Sequence, residues 1–224
     1  MKKVKRVKIK FKNLFVFMIV IFFVIMIVYC IMNKKINNIY ISGNVILEEQ
    51  EVLELINFED YLKYYQISER KIENRLKTSL VVESVDVKKS LFSLCINLKE
   101  YKTLWYQEHD NSVMLSSGES INLDNKVLGI PSFINEIDDK YKYEFIEKLS
   151  KVDNNIFRKI SEISYEPTEI DKERFLFYMN DKNYVYINIS RMELINKYDE
   201  MLPKLDSQKG ILYLDSGNHF EIKK

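Results

Sequence analysis

The side chains best suited to catalysis or metal binding are few and far apart. The only histidines, His109 and His219, are 110 residues apart, and neither has a cysteine or second histidine at ligand spacing, so no metal site is expected. Cys30 lies in an apolar run and Cys95 in an alternating one, which reads as an ordinary strand residue, and the two are too separated in depth to bridge. Asp138 and Asp139 precede a helical pattern, where carboxylates serve as first-turn charges. No G-x-S-x-G, phosphate-binding loop, dinucleotide fingerprint or calcium loop occurs. Asn188-Ile189-Ser190 fits a glycosylation pattern, but three residues recur by chance. With no nucleophile–base pair and no ligand set, the expectation is a binding protein, not an enzyme, with no cofactor and no small-molecule substrate.

The charge distribution narrows the partner. The 224 residues carry a net charge of +1, yet seven cations (Lys2, Lys3, Lys5, Arg6, Lys8, Lys10 and Lys12) precede residue 13, and residues 1–32 hold no Asp or Glu. The remainder has 27 basic against 33 acidic groups, so the average conceals a tail of +7 and a body of −6. Such a body would repel phosphates, and no nucleic-acid partner is expected. Leu14 to Met32 is uncharged over 19 residues. As a helix it spans about 28 Å, close to the hydrocarbon thickness of a bilayer. No small-residue cleavage pattern closes the run, so it reads as a retained anchor. The positive-inside rule places the N-terminus in the cytoplasm and residues 33–224 outside.

Two regions follow the anchor. Residues 36–41 read as a strand ended by Ser42, Gly43 and Asn44. Val52, Leu55 and Ile56 mark one helix, and Ile72 and Leu76 mark a second with Ser68 as its N-cap. Val85 and Val87, then Leu94, Ile96 and Leu98, alternate as two strands. The order is β-α-α-β-β, a sheet with two covering helices. Further on, strands are expected at Thr103–Tyr106, Val113–Leu115, Ser120–Leu123, Ile160–Tyr165, Arg174–Met179 and Tyr184–Ile189, with a helix through Phe145, Ile146, Leu149 and Val152. Ser190 and Glu193 fit a capping box for a helix closed by Pro203, and Gly210–Leu214 reads as the last strand. The fold class is α+β. The divisions are a basic tail (1–13), a transmembrane helix (14–32), a first domain (36–101) and a β-rich partner-binding domain (102–224).

These residues resemble the FtsQ family of bacterial cell-division proteins, called DivIB in Gram-positive bacteria. Ile39-Tyr40-Ile41-Ser42-Gly43-Asn44 is similar to the family's opening strand and turn, and Val85–Lys89 with Leu94, Ile96, Leu98 and Glu100 to its hairpin. Gly118, Pro131, and Gly210, Leu214, Asp215 and Gly217 match dispersed positions of its second domain. Leu91 and Leu115 stand where the family usually has Pro and Asp. The resemblance implies a POTRA domain at 36–101 and a scaffold at the division septum. Its expected partners are FtsL-like and FtsB/DivIC-like single-span coiled-coil proteins, and its expected role is to help regulate septal peptidoglycan synthesis. It also implies that the closing strand receives a partner strand, which points to Ile211, Leu212, Tyr213 and Leu214, with Phe220 as an aromatic anchor. Two features support that mode physically: an edge strand offers unpaired backbone groups, and alternate side chains confer specificity. A membrane-anchored POTRA-type export or envelope-assembly component is the alternative.

Overall fold

The computed structural model describes residues 11–36, 38–57, 63–90, 93–122, 129–205 and 208–222. They fall into two compact units, Met1–Glu100 and Tyr101–Lys224. Helix α1 (Phe11–Met32) is long and apolar enough to cross a membrane, and none of it is buried in the protein. Lys12 lies in its first turn, whereas Lys2, Lys3, Lys5, Arg6, Lys8 and Lys10 lie outside the described residues.

The first unit continues with β1 (Asn38–Ser42), α2 (Glu49–Leu55), a 3-10 turn (Tyr64–Gln66), α3 (Glu69–Leu76), β2 (Val82–Lys89) and β3 (Ser93–Glu100). Its sheet runs β1-β3-β2, with β3 parallel to β1 and antiparallel to β2. The period-two pattern turns Leu94, Ile96 and Leu98 to one face, where Val52 and Ile56 of the α2 region and Ile72 and Leu76 of α3 bury against them. Ser68 precedes α3 as expected, but its hydroxyl makes no capping bond. Gly43 has a φ of +82°, and a Cβ there would lie 1.9 Å from the Leu98 carbonyl oxygen, so only glycine fits this turn. Just beyond it, the Glu100 carboxylate accepts the backbone N–H groups of Val45 (2.8 Å), Ile46 (2.6 Å) and Leu47 (3.1 Å), tying the loop to the end of β3. Such charge-assisted bonds are the strong kind.

The second unit holds β4 (Thr103–Gln107), β5 (Ser112–Leu115), β6 (Ser120–Asn122), β7 (Ser132–Phe133), α4 (Asp139–Ser150), α5 (Asn154–Phe157), β8 (Ile160–Tyr165), β9 (Arg174–Met179), β10 (Tyr184–Asn188), α6 (Tyr198–Met201), β11 (Gly210–Tyr213) and β12 (His219–Ile222). One nine-stranded sheet runs β12-β11-β10-β9-β8-β7-β4-β5-β6. Residues of α4, α5 and the helical stretch after β10 bury against one of its faces around Trp105, Phe133, Phe145 and Phe175, with Phe145 and Phe175 stacked at 4.0 Å. Leu104 and Trp105 are both buried although consecutive, because the β4–β5 register shifts between Thr103 and Trp105. Asp138 caps α4 by accepting the Lys140 N–H at 3.0 Å. At the other end the Lys102 ammonium donates to the Val152 carbonyl at 2.8 Å and lies 4.5 Å above the Phe157 ring. Its burial lowers its pKa, and its charge complements the negative end of the helix.

Two expectations are corrected here. The stretch after β10 is not an α-helix started by a Ser190–Glu193 box: Ile189–Lys197 winds as a 3-10 helix, and the Asn188 side chain accepts the Arg191 N–H at 3.1 Å. Asn188 is also the last residue of β10, so the strand already supplies the extended backbone an N-cap needs. Nor is Gly210–Tyr213 the last strand. The chain turns through residues 215–218, with Asn218 at a φ of +56°, and returns as β12, antiparallel to β11.

Candidate partner-binding edge

β11 lies inside the sheet, parallel to β10 on one side (Tyr184 opposite Ile211, Tyr186 opposite Tyr213) and antiparallel to β12 on the other (Leu212 opposite Phe220, Tyr213 opposite His219). The expectation that Ile211, Leu212, Tyr213 and Leu214 present an open edge is therefore corrected. Leu212 and Leu214 are 4% and 0% exposed and belong to the core with Val185 and Ile187. Ile211 and Tyr213 are half-buried and point to the opposite face. The edge belongs to β12. Among the described residues no strand or side chain bonds its outer side, and Phe220 packs on the core while Ile222 remains 52% exposed. An added strand would meet the backbone groups of β12 and a surface that continues the core through Phe220 and Ile222.

On the other face a row of three rings and a guanidinium crosses four strands. The Arg174 guanidinium lies 3.6 Å above the Tyr186 ring, Tyr186 stacks on Tyr213 at 5.4 Å, and Tyr213 stacks on His219 at 4.5 Å with 7° between planes. The register aligns these side chains, because Tyr186 faces Tyr213 and Tyr213 faces His219. The Tyr213 hydroxyl donates to Glu221 at 3.1 Å; partial burial, that hydrogen bond and the Glu221 charge all raise its pKa.

The turn of the β11–β12 hairpin is pinned. Arg174 Nε donates to Asp215 at 2.8 Å, with the two side chains only 19% and 8% exposed, and Arg191 donates to the carbonyls of Leu214 (2.9 Å) and Asp215 (3.1 Å). At the far end Gly210 donates its N–H to the buried Asn183 side chain at 3.1 Å, and Asn183 donates to the Tyr198 hydroxyl at 3.0 Å. Tyr198 in turn donates to Asp181, and burial above all pushes its pKa well up, so the phenol remains a donor. A Cβ on Gly210 would stand 2.0 Å from the Glu221 carbonyl oxygen, so close seating of β12 requires glycine.

Sequence reasoning missed β12, the ring row and the Arg174–Asp215 pair. The alternation of Phe220 and Ile222 with His219 and Glu221 was a signal for the strand, but four residues are short of a firm periodicity. Tyr184 and Tyr186, two apart, announce one aromatic face, while a pair 41 residues apart leaves no local trace. Elsewhere, His109 and Asp110 approach to 3.8 Å as exposed side chains, and among the described residues no three His, Cys, Asp or Glu side chains gather to hold a metal.

A model of the FtsQ-type POTRA domain matches residues 34–101. The chain is 30% identical over 196 residues to the cell division protein DivIB of Listeria monocytogenes, covering 84% of this chain and 73% of that one. It is 27% identical over 196 residues to DivIB of Bacillus subtilis, covering 84% and 74%. The solved major extracytoplasmic domain of DivIB from Geobacillus stearothermophilus aligns over 48% of this chain and 96% of that one, at 21% identity and a TM-score of 0.40. The FtsQ-type domain sits where the β-α-α-β-β order lies, and the relatives extend through the β-rich unit, so this chain belongs to the DivIB family of cell-division proteins.

Proposed function

We propose that this chain is a membrane-anchored, non-catalytic scaffold of the division septum that receives a segment of a partner protein by strand addition on β12. The carrying observation is the outer edge of β12, unpaired among the described residues and flanked by Phe220 and Ile222, in a member of a division family. The partners are FtsL-like and FtsB/DivIC-like single-span proteins, through which the scaffold helps regulate septal peptidoglycan synthesis. Helix α1 is the anchor, with the basic tail in the cytoplasm and residues 33–224 outside. Ile211 and Tyr213 act from the strand behind the edge, and Leu212 and Leu214 support it from the core.

Co-purification of the full chain with the FtsB/DivIC-like protein of the same cell is the test. Ile222→Glu places a charge on the apolar side of the edge and should abolish retention without changing the unfolding midpoint. Ser120→Pro, on the opposite edge strand β6, should leave retention intact. Retention unaffected by Ile222→Glu would sink the proposal. A fluorescent fusion spread evenly over the membrane, instead of concentrated at mid-cell, would favour the export alternative.

A further inference from the structure

The geometry points to a second surface: the end of α1 and the 3-10 turn Tyr64–Gln66 together form a cationic, aromatic foot that sits in the headgroup layer of an acidic phospholipid membrane. The inference rests on α1 crossing that membrane. Met32 ends the helix, so Asn33, Lys34 and Lys35 lie within about 10 Å of the apolar boundary even at the extended reach of about 3.3 Å per residue. The turn arrives from some thirty residues further along the chain but is held at the same level. The Tyr64 N–H donates to the Lys34 carbonyl at 2.8 Å, Lys35 and Lys63 form an antiparallel bridge, and Lys63 Nζ donates to the Asn33 side chain at 3.1 Å. Asn33 itself is bound to the last turn of α1, its N–H and its amide both reaching the Tyr29 carbonyl.

The foot is also fixed to the first unit. Ile36, next to Lys35, and Ile67, which closes the 3-10 turn, are buried in the same core. The Lys89 ammonium lies 4.5 Å above the Tyr64 ring while donating to the Ile67 carbonyl at 2.8 Å. Among the described residues, this arrangement presents cationic and aromatic groups outward. Lys34 and Lys35 are exposed, Lys63 lies 5.9 Å from the Tyr65 ring, and Tyr65 and Tyr29 are 50% and 68% exposed. Among the described residues no carboxylate lies within ion-pair distance of Lys34 or Lys63. Ammonium groups on flexible stems reach lipid phosphates, and tyrosine rings prefer the interface between hydrocarbon and water. The foot would set the first unit against the bilayer at a defined tilt, so the anchor is a mounting and not a loose tether.

The test uses the full chain reconstituted in vesicles of phosphatidylglycerol or phosphatidylcholine whose acyl chains carry bromine near the headgroup. Trp105 is the chain's one tryptophan, so the unsubstituted chain supplies the background and Tyr65→Trp reports on the foot. The expected result is a loss of Tyr65→Trp fluorescence greater than that background. The loss should be larger in phosphatidylglycerol than in phosphatidylcholine, and smaller at high salt or when Lys34, Lys35 and Lys63 are replaced by Ser. Loss no greater than background in protein that floats with the vesicles overturns the foot alone. A loss indifferent to lipid charge overturns the phosphate contact, and the lipid comparison alters no residue, so folding of the variants cannot obscure it. Protein that fails to float with the vesicles overturns the membrane reading of α1 and the foot with it.

Discussion

Strands β2 and β12 both lie at the edge of a sheet, and the protein treats the two edges oppositely. Along β2 two backbone N–H groups are taken by carboxylates from α3: Lys89 donates to Glu69 at 2.7 Å and Val87 to Glu73 at 3.4 Å. Along β12 no described side chain does this, and the apolar flank is left partly uncovered at Ile222. An unguarded strand edge invites pairing with any extended segment, so proteins close such edges unless they use them. One edge is partly closed by its own helix, and the other is the edge proposed above to receive a partner.

Four changes would break or sharpen this contrast. Leu214→Ala removes a fully buried side chain beneath the hairpin that carries the open edge, and should cost about 2–5 kcal/mol, measured as a drop in the urea midpoint of the second unit. Gly210→Ala should cost about 1–3 kcal/mol by forcing β12 off β11. Amide exchange should then accelerate across residues 219–222 before it changes elsewhere, and partner retention should be lost; unchanged exchange there would show that β12 is not seated through Gly210. Replacing both Glu69 and Glu73 by Ala should cost roughly 1 kcal/mol per lost bond and expose β2. Light scattering should then detect more self-association than in the unsubstituted chain.

The smallest effect is confined to alkaline solution. The Tyr198 phenol has a pKa raised above its ordinary value of 10.0, chiefly by burial, so below that value its contribution to stability is complete. As pH rises further the unfolded phenol ionises first, and stability falls up to the raised folded value. Tyr198→Phe should make the decline in unfolding free energy between about pH 9 and 11 shallower, though Tyr165, Tyr178 and Tyr213, also raised, keep part of the slope.

The first unit was readable because its information is local. Alternation of Leu94, Ile96 and Leu98, the helical spacing of Ile72 and Leu76, and Gly43 in its turn each act within a few residues, and together they define a two-layer fold. The second unit was readable strand by strand but not in its order. Placing Gly210–Leu214 at the edge failed because nothing within five residues says whether a neighbour will arrive on its far side; a turn and four weakly patterned residues supplied one. The Ser190–Glu193 box failed for a related reason, since Asn188 two residues earlier was already extended by the strand it ends.

By itself the sequence determined what depends on composition and short-range period: an apolar run long enough to span a bilayer, a basic flank and the β-α-α-β-β order. Tertiary structure alone decided which backbone groups remain unpaired. Hydrogen-bond satisfaction depends on which strands become neighbours, and that follows from how side chains far apart in sequence share one core. Hence β12 and not β11 lies at a sheet edge, α3 carboxylates reach the edge of β2, and the Tyr64 turn is bound just past the end of α1.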